Sequence, residues 1–134
     1  MKQFIGPFVI SLITAYLLTP FIKKIAFKIG AVDEPNSRRI NKYPIPSIGG
    51  IALYIGFVGS VLLFCEFNRM ISGILIGATF ITIVALLDDL YELSPGIKLA
   101  GQIIAGIILL LFGIRVEFIT NPLGGMIYLS YSGI

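Results

Sequence analysis

Four long stretches of this chain contain no charged residue, and nothing else constrains its fold as strongly. Residues 3–22, 43–65, 70–87 and 99–114 are free of Asp, Glu, Lys and Arg. A helix needs about 17–25 apolar residues to cross roughly 30 Å of hydrocarbon, and these gaps are of that size. The last is slightly short, but Lys98 and Arg115 can snorkel from its ends. The spacing predicts an all-α polytopic membrane protein with about four transmembrane helices, part of a larger helical bundle. The spans are placed near residues 4–22, 48–67, 70–87 and 97–114, in a single membrane unit over residues 1–134. The first span is too long for a signal peptide, and Thr19-Pro20-Phe21 is no small-residue cleavage site.

Composition excludes the common alternatives. Charged residues are only 13% of the chain and hydrophobic ones 57%, too little charge to cover the surface of a soluble domain. The net charge of +3 is too sparse for a nucleic-acid surface. No histidine is present, and Cys65 is the one cysteine. Imidazole chemistry, an internal disulfide and a thiolate metal site are excluded.

The connections between spans differ sharply. Residues 23–47 carry six of the ten basic residues: Lys23, Lys24, Lys28, Arg38, Arg39 and Lys42. The positive-inside rule places this loop in the cytoplasm. Alternation places 88–96 there too, with both termini outside. The middle connection is a tight turn around Asn68-Arg69. Gly73 and Gly77, and separately Ala52, Gly56 and Ser60, form small-residue stripes at four-residue spacing, which let helices pack closely in lipid.

Two polar constellations remain. Asp88-Asp89 follows the third uncharged stretch directly. Adjacent carboxylates there repel each other, sit at the negative end of a helix dipole and lie close to hydrocarbon. A divalent cation would relieve all three strains, and Mg²⁺ commonly binds one or two carboxylates plus substrate phosphates. The alternative is a solvated turn that merely ends the helix. In the first loop, Arg38, Arg39 and Lys42 form a cation cluster suited to phosphate. Gly49-Gly50 offers bare backbone N–H groups where the second span opens. Taken alone, that loop reads as an ordinary positive-inside segment that attracts anionic lipid. Phosphate-binding cations and metal-binding carboxylates on one membrane face together make a phosphoryl-transfer constellation. Lys98 and Gln102, one turn apart on the fourth helix, are expected to point into the same region.

The string Val32-Asp33-Glu34-Pro35-Asn36-x-Arg38-Arg39, followed by Pro44-Ile45-Pro46-x-x-Gly49-Gly50, resembles the first cytoplasmic loop of the polyprenyl-phosphate N-acetylhexosamine-1-phosphate transferases. These form glycosyltransferase family 4, which includes the phospho-N-acetylmuramoyl-pentapeptide transferase as a relative. Leu87-Asp88-Asp89-Leu90-Tyr91-Glu92-Leu93-Ser94, then Lys98-Leu99-x-Gly101-Gln102, resembles the family's aspartate-pair motif and the helix after it. Asn121-Pro122-Leu123-Gly124-Gly125 resembles the extracytoplasmic segment before the next span. Three motifs in order are far more specific than one.

The resemblance implies transfer of a sugar-1-phosphate from a UDP-N-acetylhexosamine to undecaprenyl or another polyprenyl phosphate. UMP would leave, Mg²⁺ (or Mn²⁺) would be required, and the active face would be the cytoplasmic side of the plasma membrane. It makes Asp88 and Asp89 the catalytic and metal-binding pair. Lys42, Arg38, Arg39, Asn41, Ser47, Gly49, Gly50 and Lys98 become substrate-binding candidates. Asn41 stands where glucosamine-type members usually have His, Ser47 where they usually have Arg, and Gly96 where a basic residue is common. Family members also carry a later Asp-Gly-containing, Asn-rich segment and a histidine-rich segment, neither of which occurs in these 134 residues. The expectation is therefore an N-terminal portion, inactive alone, whose partners are the lipid phosphate, the UDP-sugar, and either a C-terminal part or a second copy. A non-catalytic membrane subunit that pairs with a full transferase is the alternative. A small transporter is disfavoured, because no span carries a charge at its middle.

Overall fold

The computed structural model describes residues 2–35 and 42–115, with two short strands beyond them at 118–120 and 126–128. The chain is a helical membrane protein built on four helices: α1 (Lys2–Ile29), α2 (Gly50–Phe64), α3 (Arg69–Tyr91) and α4 (Pro95–Leu111). Between α1 and α2, β1 (Val32–Asp33) pairs antiparallel with β2 (Ile45–Pro46). After α4, β3 (Phe118–Thr120) pairs antiparallel with β4 (Met126–Tyr128). At 1.5 Å per residue, α1 and α3 are about 42 and 34 Å long, enough to cross a bilayer. The apolar α2 and α4 are shorter, at about 22 and 25 Å.

Helix ends and charge gaps do not coincide. α1 continues past Ile22 through Lys23, Lys24 and Lys28, a stretch read from sequence as the start of a loop. Ile22 and Ala26 are buried while all three lysines are exposed, so this end of the helix is amphipathic. Lys28 in the last turn favours the dipole. Gly30 then stops the helix at φ +77°, and the Ala31 N–H reaches back to the Ala26 carbonyl at 2.9 Å. That is a Schellman closure, and its usual apolar contact is met by Ala26 and Ala31, both in the core cluster. α3 likewise runs beyond Leu87 and carries Asp88 and Asp89 in its final turn. α2 stops at Phe64, because Cys65 turns extended, and Asn68 caps α3 by accepting the Ile71 N–H at 2.8 Å.

The helices associate as two close pairs. Ala52, Gly56 and Ser60 are the buried residues of α2, as their stripe predicts. A Cβ on Gly56 would stand 2.7 Å from the Ser11 carbonyl oxygen of α1. Ser60 donates from its Oγ to the Pro7 carbonyl at 3.0 Å. Gly73 and Gly77 are the buried residues of α3 and lie against Phe112 and Leu109. Gly101 of α4 lies against Val84. The Arg69 guanidinium closes the far end of this second pair, donating to the Leu111 carbonyl at 2.9 Å. Ile22, Ala26, Ala31, Ile48 and Ala52 form the buried cluster, with Leu86 of α3 packed against it. Most other large apolar side chains face outward, as expected where lipid, not water, is the solvent.

Candidate active site

A cavity of about 770 Å³ opens where α1 and α3 end and α4 begins. Its first half is lined by Gly30, Val32, Asp33, Pro46 and Ser47. Its second half is lined by Asp88, Asp89, Leu90, Glu92, Leu93 and Lys98. The β1–β2 ladder (Val32↔Pro46, Asp33↔Ile45) and the Ser47 N–H to Ala31 carbonyl bond at 3.0 Å hold the first wall. They tie both ends of the basic loop to this rim. The second wall is the α3–α4 turn. Glu92 ends α3 in the left-handed region at φ 48°, with its N–H on the Asp88 carbonyl at 2.9 Å.

The two aspartates are not equivalent. Asp88 Oδ1 accepts the Leu93 N–H at 3.0 Å and pairs with Lys98 Nζ at 2.8 Å. Both side chains of that pair are partly solvated, so its worth is modest. It nonetheless offsets part of the cost of a carboxylate at this helix end. Lys98 gains as well, because a cation in the first turn of α4 opposes that helix's dipole. Asp89 has no hydrogen bond or ion pair among the described residues. It lies past the uncharged stretch that ends at Leu87, between the open cavity and a small crevice lined by Ile48, Gly50, Ile51, Thr82, Ala85 and Leu86. Its carboxyl is pushed above the ordinary aspartate value by this apolar backing first, then by the charges of Asp88 and Asp33; Lys98 partly opposes the rise.

The other sequence candidates divide. Ser47 and Lys98 line the cavity. Gly50 lines the adjoining crevice, and among the described residues no atom beyond the local backbone lies within 4 Å of where a Cβ on Gly49 or Gly50 would stand. Lys42 is exposed and off the lining. Arg38, Arg39 and Asn41 lie outside the described residues, as does Asn121–Gly125. Gln102 does not join Lys98 in the cavity. It lines a groove between α3 and α4 with Ile74, Gly77, Ala78 and Ile81. One helical turn keeps the face but moves the side chain about 6 Å along the axis, which takes Gln102 below the rim. Asp33 and Glu92 are the additions. Both stood within the quoted motifs, but only the paired ladder and the left-handed turn bring them to one cavity.

Fold and cavity together define a class: a helical membrane protein with a carboxylate-rich polar cavity at one end of its bundle. The sequence model of glycosyl transferase family 4 matches residues 71–133. A probable undecaprenyl-phosphate N-acetylglucosaminyl 1-phosphate transferase of Bacillus subtilis (strain 168) is 37% identical over 125 residues, which is 91% of this chain and 34% of that protein. A decaprenyl-phosphate N-acetylglucosaminephosphotransferase of Mycolicibacterium smegmatis is 30% identical over 123 residues, 85% of this chain and 30% of its own length. An undecaprenyl-phosphate alpha-N-acetylglucosaminyl 1-phosphate transferase of Escherichia coli (strain K12) is 32% identical over 106 residues, 76% of this chain and 29% of the relative. No solved structure matches the chain. It belongs to glycosyl transferase family 4, and corresponds to the N-terminal portion of these relatives. It spans about a third of their length.

Proposed function

We propose that this chain supplies the acidic wall of a site that moves N-acetylglucosamine 1-phosphate from a UDP-sugar to a polyprenyl phosphate. The acceptor's phosphate oxygen attacks the β-phosphorus of the donor. The bond from that phosphorus to the bridging oxygen breaks, and UMP departs with the bridging oxygen. A lipid diphosphate sugar remains. The observation that carries this reading is the cavity itself, in which Asp89 is held beside Asp88 and Asp33 with Lys98 at the same rim. The relatives' names supply the lipid and sugar classes.

The donor set suits a hard divalent cation such as Mg²⁺ (or Mn²⁺). Asp89 would be an oxygen ligand whose charged form is disfavoured by its apolar backing first and then by two neighbouring carboxylates, a tension that a cation would relieve. Among the described residues no three acidic, His or Cys side chains are grouped closely enough to hold an ion by themselves. The substrate's phosphates would therefore have to supply the remaining ligands, the usual habit of Mg²⁺. Asp89, with the second oxygen of Asp88, would hold the ion, and the ion would neutralise phosphate charge as the β-phosphorus is attacked. Lys98 offers a donor to a phosphate oxygen while Asp88 holds it at the rim. Ser47 contributes a hydroxyl on the opposite wall. Lys42, with Arg38 and Arg39, raises the local concentration of anionic substrate. The cavity faces the cytoplasm of a plasma-membrane enzyme, on the positive-inside distribution of Lys23, Lys24, Lys28, Arg38, Arg39 and Lys42.

The nucleotide product tests the reading. In membranes lacking other such transferases, the chain fused to the remaining two thirds of the Bacillus subtilis relative should convert UDP-N-acetylglucosamine and undecaprenyl phosphate to UMP and a lipid diphosphate sugar. Release of UDP instead would make this a sugar transferase and overturn the proposal.

A further inference from the structure

The site is assembled across a seam between the two helix pairs. One wall comes from the ends of α1 and the β1–β2 ladder, the other from α3 and α4. Each pair is held tightly within itself by glycine contacts and a side-chain bond. The seam between α2 and α3 is looser. Near the site it leaves the crevice behind Asp89, and Leu86 is the residue of α3 that packs onto the core cluster. Deeper in the bundle, Tyr54 of α2 and Thr79 of α3 share a hydrogen bond at 2.6 Å, partly buried. Among the described residues it is the one side-chain hydrogen bond between α2 and α3. Thr79 Oγ1 also lies 2.6 Å from the Leu75 carbonyl. With its proton given to that carbonyl, the hydroxyl accepts from Tyr54, so the threonine rotamer and the tyrosine are fixed together.

We propose that Tyr54 and Thr79 are positioning residues for the site. Their bond sets the register and rotation of α3 against α2, and so holds Asp88 and Asp89 opposite Asp33 and Ser47. Helices in lipid gain nothing from hydrophobic exclusion, so packing and interhelical hydrogen bonds decide how they register. Thr79 lies ten residues, about 15 Å, below Asp89 on one continuous helix. A slip or rotation at Thr79 is therefore delivered to the aspartates undamped. Leu86 alone cannot prevent it, because the crevice beside it leaves room for α3 to move.

The inference rests on the proposed function for its consequence but not for its test. In the full chain with Cys65→Ser, cysteines at Ser47 and Leu90 report across the cavity through a short bis-maleimide. Tyr54→Phe and Thr79→Val should each slow that cross-link several-fold, and the double variant no further than either alone. Thr79→Ser, which keeps the hydroxyl, should cross-link at the parental rate. Unchanged rates in Tyr54→Phe overturn the inference, as does a slowed Thr79→Ser. In the fused enzyme, Tyr54→Phe should raise the Mg²⁺ concentration for half-maximal UMP release several-fold. An unshifted Mg²⁺ requirement, with only the yield of folded protein reduced, would make the bond merely structural. If the unaltered fusion releases no UMP, the functional reading fails, and the cross-link still decides the positioning role.

Discussion

At the scale of single residues, the aspartate pair divides its labour. Asp88 is fastened by Lys98 and by the Leu93 N–H, and it closes the turn as much as it serves the cavity. Asp89 has the exposed, strained carboxylate. Their amides should therefore differ. Asp88→Asn gives up a charge-assisted bond and a partly solvated ion pair, a loss of about 1 kcal/mol. Its melting temperature in detergent should fall. Asp89→Asn removes a repelled charge and should melt at or above the parent. Equal melting of the two would contradict the assignment of Asp88 to the turn. The pair was legible in the sequence because two carboxylates ending an uncharged stretch demand a partner. Lys98 as that partner was not, since it lies ten residues on and meets Asp88 only through the left-handed turn at Glu92.

Among the elements, close approach is the controlling feature, and its cost depends on what stands opposite each glycine. Gly56→Ala would drive a methyl into the Ser11 backbone oxygen at 2.7 Å, and backbone cannot rotate away. This variant should lose about 1–3 kcal/mol from overpacking, less the roughly 1 kcal/mol that alanine gains over glycine in a helix. Gly77→Ala meets the Leu109 Cδ2 tip at 2.9 Å, a flexible end that can swing aside. It should be near neutral. Thermal unfolding of the two variants in one detergent checks the order, and a more damaging Gly77→Ala would contradict it. These stripes were readable because small residues at four-residue spacing have one strong use in lipid. Helix ends were not. An absence of charge marks where hydrocarbon is tolerated, whereas a helix stops where its backbone is capped. Gly30 and Glu92 do that well beyond the last uncharged residue.

For the whole molecule, two polar walls, one from residues 30–47 and one from residues 88–98, meet at one end of four helices. The order of connections made that meeting predictable, since the basic loop and the aspartate turn are one full hairpin apart. The cavity's acidic first wall was hidden because Asp33 reaches the rim through the pairing of β1 with β2, a two-residue ladder too short to leave a periodic signal. If the bundle crosses the membrane as its charges dictate, cysteines at Lys24 and Glu92, in a Cys65→Ser background, should react with an impermeant maleimide from the cytoplasmic side. A cysteine at Glu66 should react from the other. Labelling of Lys24 and Glu92 positions from opposite sides would break the single-cavity architecture.

The proposed transfer of a phosphosugar to a lipid phosphate puts Asp89 at the working face of this cavity. Formation of labelled lipid diphosphate N-acetylglucosamine by the fused enzyme, with Mg²⁺ titrated for the parent and for Asp89→Asn, tests it most directly. Mg²⁺-dependent product is expected from the parent and at least about a hundredfold less from Asp89→Asn, a loss of roughly 2.7 kcal/mol or more in the barrier term. Equal product from the two, at the same Mg²⁺ requirement, would contradict it.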